Sequence, residues 1–213
     1  MSSPVPRSDA PPRRPYRSAR RAAQADSTRR ALLRAATELF TTRGWAATGL
    51  RDIAAEAGVS TETIYTHFQS KADLLRRAAD VAVVGDHDPV PVADRPEFVA
   101  MGVGPRPDRL AAATRVVSDI HQRTAGFARV LREAAPTDES IADALQATKE
   151  RQRLDVRSGA DLVAGRALTE AECDGVWALV SVEVYLLLVD EAGWTVDQYE
   201  TWLVSMLDAA IPA

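Results

Sequence analysis

The sequence predicts an all-α protein of about nine helices. Three observations carry this. Apolar residues recur at three- and four-residue spacing along most of the chain, side-chain caps precede those runs, and no stretch alternates apolar and polar residues as a half-buried strand would.

The elements follow in order. Residues 1–25 hold five prolines and six arginines with few apolar side chains to bury, which reads as a disordered basic arm, either tracking phosphates or simply solvated. Asp26 and Ser27 are N-cap candidates for a first helix carrying Leu32, Leu33, Ala36, Leu39 and Phe40, and Gly44 ends it. Trp45 follows into a small core. Thr48 caps a short second helix to about 57, Gly58 and Val59 form a tight turn, and Ser60 caps a third helix to about 68. Ser70 and Asp73 resemble a capping box that opens a fourth helix to about 84. Residues 85–94 form a loop, 95–101 a short helical piece and 102–107 a break. A helix then runs from 108 to about 135, with Gly126 as the point where it would break. Asp138 or Ser140 starts a charge-laced helix to about 163. Thr169 and Glu172 form a full capping box for one long helix to about 191, and Thr195 and Gln198 form another for a last helix to about 210. Three units result: an arm at 1–25, a small helical domain at 26–84 and a helical body at 85–213.

Composition narrows the function classes. The lone cysteine, Cys173, cannot form an intrachain disulfide, and its neighbours Glu172 and Asp174 offer a thiolate no support, so it reads as packing. The basic start lacks the apolar core of a signal peptide, and the most apolar run, 176–189, is shorter than the roughly 20 residues of a membrane span. A cytoplasmic protein without a membrane partner is expected. The net charge of −4 divides unevenly: residues 1–77 carry 14 basic and 7 acidic groups, whereas the remainder carries 12 and 23. One end is thus suited to a polyanion, unless arginines merely cluster in a tail. No metalloprotease pair, nucleophile elbow or phosphate-binding glycine loop is present, and Asp86, His87 and Asp88 stand alone in a loop. Neither an enzyme nor a cofactor or metal is expected.

Residues 48–68 have the physics of a helix-turn-helix. Two short helices must cross steeply through a turn of a few residues. Ala54 and Ala57 are small enough for close approach, Gly58 supplies a positive φ, and Ile64 and Phe68, four apart, give the second helix a buried face. Thr61, Thr63, Thr66 and His67 then face outward, with side chains suited to base edges and phosphates.

The pattern T-x4-I-A-x2-A-G-V-S-x4-Y-x-H-F-x2-K-x2-L, gapless from 48 to 74, resembles the N-terminal domain of the tetracycline-repressor (TetR) family, and Leu39-Phe40 with Arg43-Gly44-Trp45 fits as well. The spacing of Trp177, Glu183 and Tyr185, followed by Gly193-Trp194 and Tyr199-x-x-Trp202-Leu203, is similar to one branch of that family. The resemblance implies phosphate contacts at Thr48, Tyr65, His67 and Lys71, base contacts on the helix bearing Thr61, Glu62, Thr63 and Thr66, and a further contact at Arg51. Lys71 would add its ammonium to the free amides of the fourth helix. Many members carry Gly where this chain has Glu62. A carboxylate there either accepts from a cytosine amino group or faces solvent and supports the helix dipole.

The run 176–189 is apolar nearly all round, so it should be buried on every side, by its own body and by a second copy. Glu183 within it would need an arginine such as Arg115, Arg123 or Arg132, or a ligand. The resemblance implies a two-fold homodimer, with Val184, Leu187, Leu188, Trp202 and Met206 at its interface, on a pseudo-palindromic double-stranded operator. It also implies release by a small-molecule effector. Phe98, Met101, His121, Phe127 and Trp177 could line the effector pocket or form ordinary core. The expected function is a ligand-responsive repressor. The alternatives are an enzyme with a helical body, or an interaction module that has lost DNA binding.

Overall fold

The structure, a computed structural model, describes residues 15–88 and 90–212. Residues 1–14 of the arm expected at 1–25 lie outside the described residues. All regular elements among them are helical: α1 (Pro15–Arg43), α2 (Leu50–Glu56), α3 (Thr61–His67), α4 (Lys71–Val84), α5 (Pro96–Val99), α6 (Arg106–Ala134), α7 (Glu139–Ala164), α8 (Glu170–Leu179), α9 (Val182–Tyr185) and α10 (Val196–Ala210).

Most helix starts are written by side chains. Ser60, Ser70, Asp138, Thr169 and Thr195 each accept a backbone N–H of the first turn. Four details differ from the sequence reading. First, α1 starts at Pro15, so residues 15–25 are helix rather than disordered arm. Arg, Ala and Gln are strong helix formers, and a helix can extend beyond its buried stretch on propensity alone. Second, the cap of α2 is Gly49, whose N–H donates to the Asp52 carboxylate at 2.9 Å. Third, α6 runs unbroken through Gly126. A Cβ there would lie 2.8 Å from Thr41 Cγ2, so this glycine lets α1 and α6 approach closely. Fourth, the long helix expected at 169–191 breaks after Leu179. The Ser181 hydroxyl accepts the Val184 N–H and starts α9, which passes into a π-helical run, Leu186–Glu191. Serine competes for backbone groups in this way, and the β-branched Val180, Val182 and Val184 weaken the helix around it.

Two hydrophobic clusters organise the chain. The first joins α1–α4, with Leu32, Phe40, Ile53, Ile64 and Leu74 fully buried, and it recruits Phe127, Val130 and Ala134 of α6 and Ile141 of α7. The second joins α5, α6, α7, α8, α9 and α10 around Tyr199, Leu203 and Leu207. The small unit therefore does not close at residue 84, because the C-terminal end of α6 completes its core. No helix of the described residues is long and apolar enough to cross a membrane.

Candidate nucleic-acid interface

The crossing of α2 and α3 is set by residues at the turn. Gly58 adopts φ +70°, and Val59 N–H donates to Ala54 C=O at 2.9 Å, closing the helix end. Ile64 and Phe68 are buried and fix α3 from beneath. Its other face is left open: Glu62, Tyr65 and Thr66 are exposed, and Thr61, Thr63 and His67 are half-buried. Tyr65, 61% exposed, is one of the large side chains most open to solvent. Thr66 Oγ1 donates to the Thr63 carbonyl at 2.6 Å, which leaves its lone pairs free as acceptors. Arg51 is exposed on α2.

The carboxylate of Glu62 is held below the usual range by its own backbone N–H and then by the Ser60 hydroxyl. It is turned back onto the N-terminus of α3, as the solvent-facing, helix-supporting alternative requires.

Thr48 departs from the expected phosphate role. Its side chain is 1% exposed, and its hydroxyl lies within bonding reach of the Leu39 carbonyl (3.0 Å) and the Gly44 carbonyl (2.8 Å). The hydroxyl is consumed in closing the α1–α2 turn, so its side chain is not presented to a ligand. Lys71 is half-buried. Its ammonium donates to the Trp45 carbonyl and lies 3.9 Å from the centroid of the indole. Burial pulls its pKa down, while Glu133 and Asp138 act in the opposite direction. Glu133 of α6 also accepts the N–H groups of Trp45 and Ala46, both at 3.3 Å, so the body grips the turn beside α4.

Sequence reading missed Arg29. Its guanidinium lies 5.9 Å from the Phe68 ring, which brings an exposed cation of α1 to the C-terminal end of α3. Nothing in local spacing signals this, because the pairing is between helices.

In the body, Phe98, Met101, His121 and Trp177 line a cavity of about 140 Å³ between α5, α6, α7 and the α8–α9 break. Phe127 does not line it, because that residue is packed in the first cluster. His121 Nδ1 stands 3.1 Å from the Tyr199 hydroxyl, and burial lowers its pKa to about 4, against a hydrogen bond to the Val180 carbonyl. The apolar run around α9 is not buried on all sides. Leu187 is 54% exposed, and Val184, Leu188, Trp202 and Met206 are half-buried. Glu183 is also exposed, 3.8 Å from Arg132. In the loop after α4, the Asp86 carboxylate accepts two bonds from Arg95, at 2.7 and 2.9 Å, and Cys173 is buried in the second cluster.

Residues 32–78 match the family model of bacterial regulatory proteins, tetR family. A 64-residue segment, 28% of the chain, is 45% identical to the HTH-type transcriptional activator FasR of Mycolicibacterium smegmatis and spans 29% of that relative's length. The fold matches solved structures over most of the chain. A member of the TetR family from Streptomyces coelicolor A3 aligns with TM-score 0.62 at 18% identity, covering 87% of this chain and 99% of that one. A protein from Rhodococcus sp. assigned to the same family aligns with TM-score 0.62 at 20% identity, covering 88% and 100%. The motif, the open face of α3 and these matches agree: residues 32–78 are similar to the helix-turn-helix segment of tetR-family regulatory proteins, and the fold of the described residues is that of solved structures assigned to the same family.

Proposed function

We propose that this regulator binds a pseudo-palindromic operator as a homodimer, represses from it, and is released by a small molecule held in the body. The observation that carries the reading is α3, a short helix anchored by Ile64 and Phe68 whose opposite face is open and polar. In this reading Thr61, Thr63 and Thr66 meet base edges, and Tyr65, His67, Arg51 and Lys71 meet phosphates, joined by Arg29. Lys71 acts from the first turn of α4, where free amides add to its charge. Glu62 stays on the helix cap. Residues 26–84 form the DNA-reading unit, completed by the end of α6, and 85–213 form the effector-binding and dimerisation unit.

The apolar surface of Leu187, Val184, Leu188, Trp202 and Met206 supports a self-complementary contact between two copies. The partners are therefore duplex DNA, a second copy and an unidentified effector, with the cytoplasm as the site of action and no metal or cofactor. Activation is a second reading, favoured by the name of the relative that is 45% identical over the DNA-reading segment.

The test is a fluorescence-anisotropy titration against the DNA upstream of the protein's own gene, with unrelated duplex as control. Specific binding lost by roughly tenfold or more in Tyr65→Ala with Arg51→Ala is expected, since each removes an exposed phosphate contact without touching the core. Equal affinity for both duplexes sinks the reading. A reporter fusion separates the two directions: deleting the regulator raises expression under repression and lowers it under activation.

A further inference from the structure

The cavity of the body states the chemistry of its occupant. Its walls are mainly apolar, with Val, Ile and Phe side chains from α5, α6 and α7 and Met101 from the turn after α5, closed by Val176, Trp177 and Val180. Among the described residues, no lysine or arginine lines it. An anionic ligand would therefore lose its water without gaining a countercharge. Among the described residues, the one carboxylate in the wall is Asp155 of α7. It is half-buried, and among the described residues its carboxylate has neither a hydrogen bond nor a salt bridge. Burial pushes its pKa up, against the weaker pull of Arg151.

The arginines of α7 that could have neutralised it are engaged elsewhere. Arg151 pairs with Asp80 at 3.4 Å, Arg157 with Glu170 at 3.8 Å, and Arg153 with Asp174. Arg153 also lies against the Trp177 ring. His121, the other ionisable group of the wall, is neutral and engaged with Tyr199. The fold thus leaves one carboxylate in a largely apolar wall with no cation at salt-bridge distance among the described residues. Its volume, about 140 Å³, suits a single ring, since a dry cavity of roughly 150 Å³ holds one benzene.

We propose that this cavity takes a small arylalkylamine, its ammonium on Asp155 and its ring against Phe98, Met101 and Trp177. The proposal rests on the reading of the cavity as the effector site. Association buries the ring and gives Asp155 a charge-assisted hydrogen bond.

Isothermal titration calorimetry of the full chain tests it with three probes of one shape: phenethylamine, 2-phenylethanol and 3-phenylpropionate. The amine should bind roughly tenfold or more tightly than the alcohol, and the carboxylate weakest. Asp155→Asn should bring the amine down to the alcohol while leaving the alcohol unchanged. Equal binding of amine and alcohol, preference for the carboxylate, persistence of the amine preference in Asp155→Asn, or binding of none of the three at millimolar concentration overturns the proposal. The operator titration is run without probe, so its failure marks a failed regulator reading, whereas these outcomes mark a failed ligand class.

Discussion

The two hydrophobic clusters bury polar groups on different terms. In the first, Thr48 is enclosed, but its hydroxyl lies within bonding reach of the Leu39 and Gly44 carbonyls in the link between α1 and α2. In the second, α6 buries Thr114, Ser118 and His121 in succession, and the Thr114 hydroxyl has no hydrogen-bond partner among the described residues. A half-buried Asp155 faces a cavity, and the helix opposite is broken at Ser181. The difference teaches where each part of the molecule puts its stability. Close packing with satisfied polar groups gives the DNA-reading end one geometry. In the proposed reading, the space and incompletely compensated polarity of the body are where a bound molecule would add stability, by mass action on the folded state.

The largest expected departure between the clusters comes with pH. His121 is held neutral in the fold, at about 4 against an ordinary 6.5, chiefly by burial. Between these values the unfolded chain takes a proton that the folded chain refuses. Stability therefore falls as pH drops through this window and levels off below it, by on the order of 3 kcal/mol in total. Urea midpoints at pH 7 and pH 5 measure it, and His121→Gln should flatten the slope. A slope unchanged in that variant would remove the body's buried histidine from the comparison.

A pair of identical substitutions sharpens it next. Ala36→Val enlarges a fully buried site in the first cluster, whereas Ala160→Val points into the cavity wall. Both carry the same small loss of helix propensity. Overpacking adds about 1–3 kcal/mol to the first alone. Equal chemical-denaturation losses would mean that the cavity is not available volume.

The smallest effect concerns Thr48. Thr48→Val should cost about 1 kcal/mol of stability by deleting one buried hydrogen bond. It should leave unchanged the slope of log affinity against log salt, because no phosphate contact is lost. A reduced slope would return Thr48 to the DNA surface.

Legibility tracked how local each feature is. The caps at Ser60, Thr169 and Thr195 are three-residue events, and the outward positions of α3 follow from the four-residue spacing of Ile64 and Phe68. Four of the five expected cavity residues reached the cavity, but Phe127 did not. It sits two turns past His121 on the same helix, and α6 is long enough to serve both clusters, a division that no helical periodicity encodes. The family motif marked Thr48 as a phosphate contact, and only the folded turn, with carbonyls of Leu39 and Gly44 beside it, turned its hydroxyl inward.

What the sequence by itself determined was the all-helical class and the helix-turn-helix, because apolar period, capping side chains and the glycine turn act over a few residues. Tertiary structure decided the rest: the extension of α1 to Pro15, the break at Ser181, the union of Arg29 with Phe68, and the pairing of the α7 arginines with acids other than Asp155. A partner across space sets the last two, and the charge pattern along the chain does not record which partner each arginine will find.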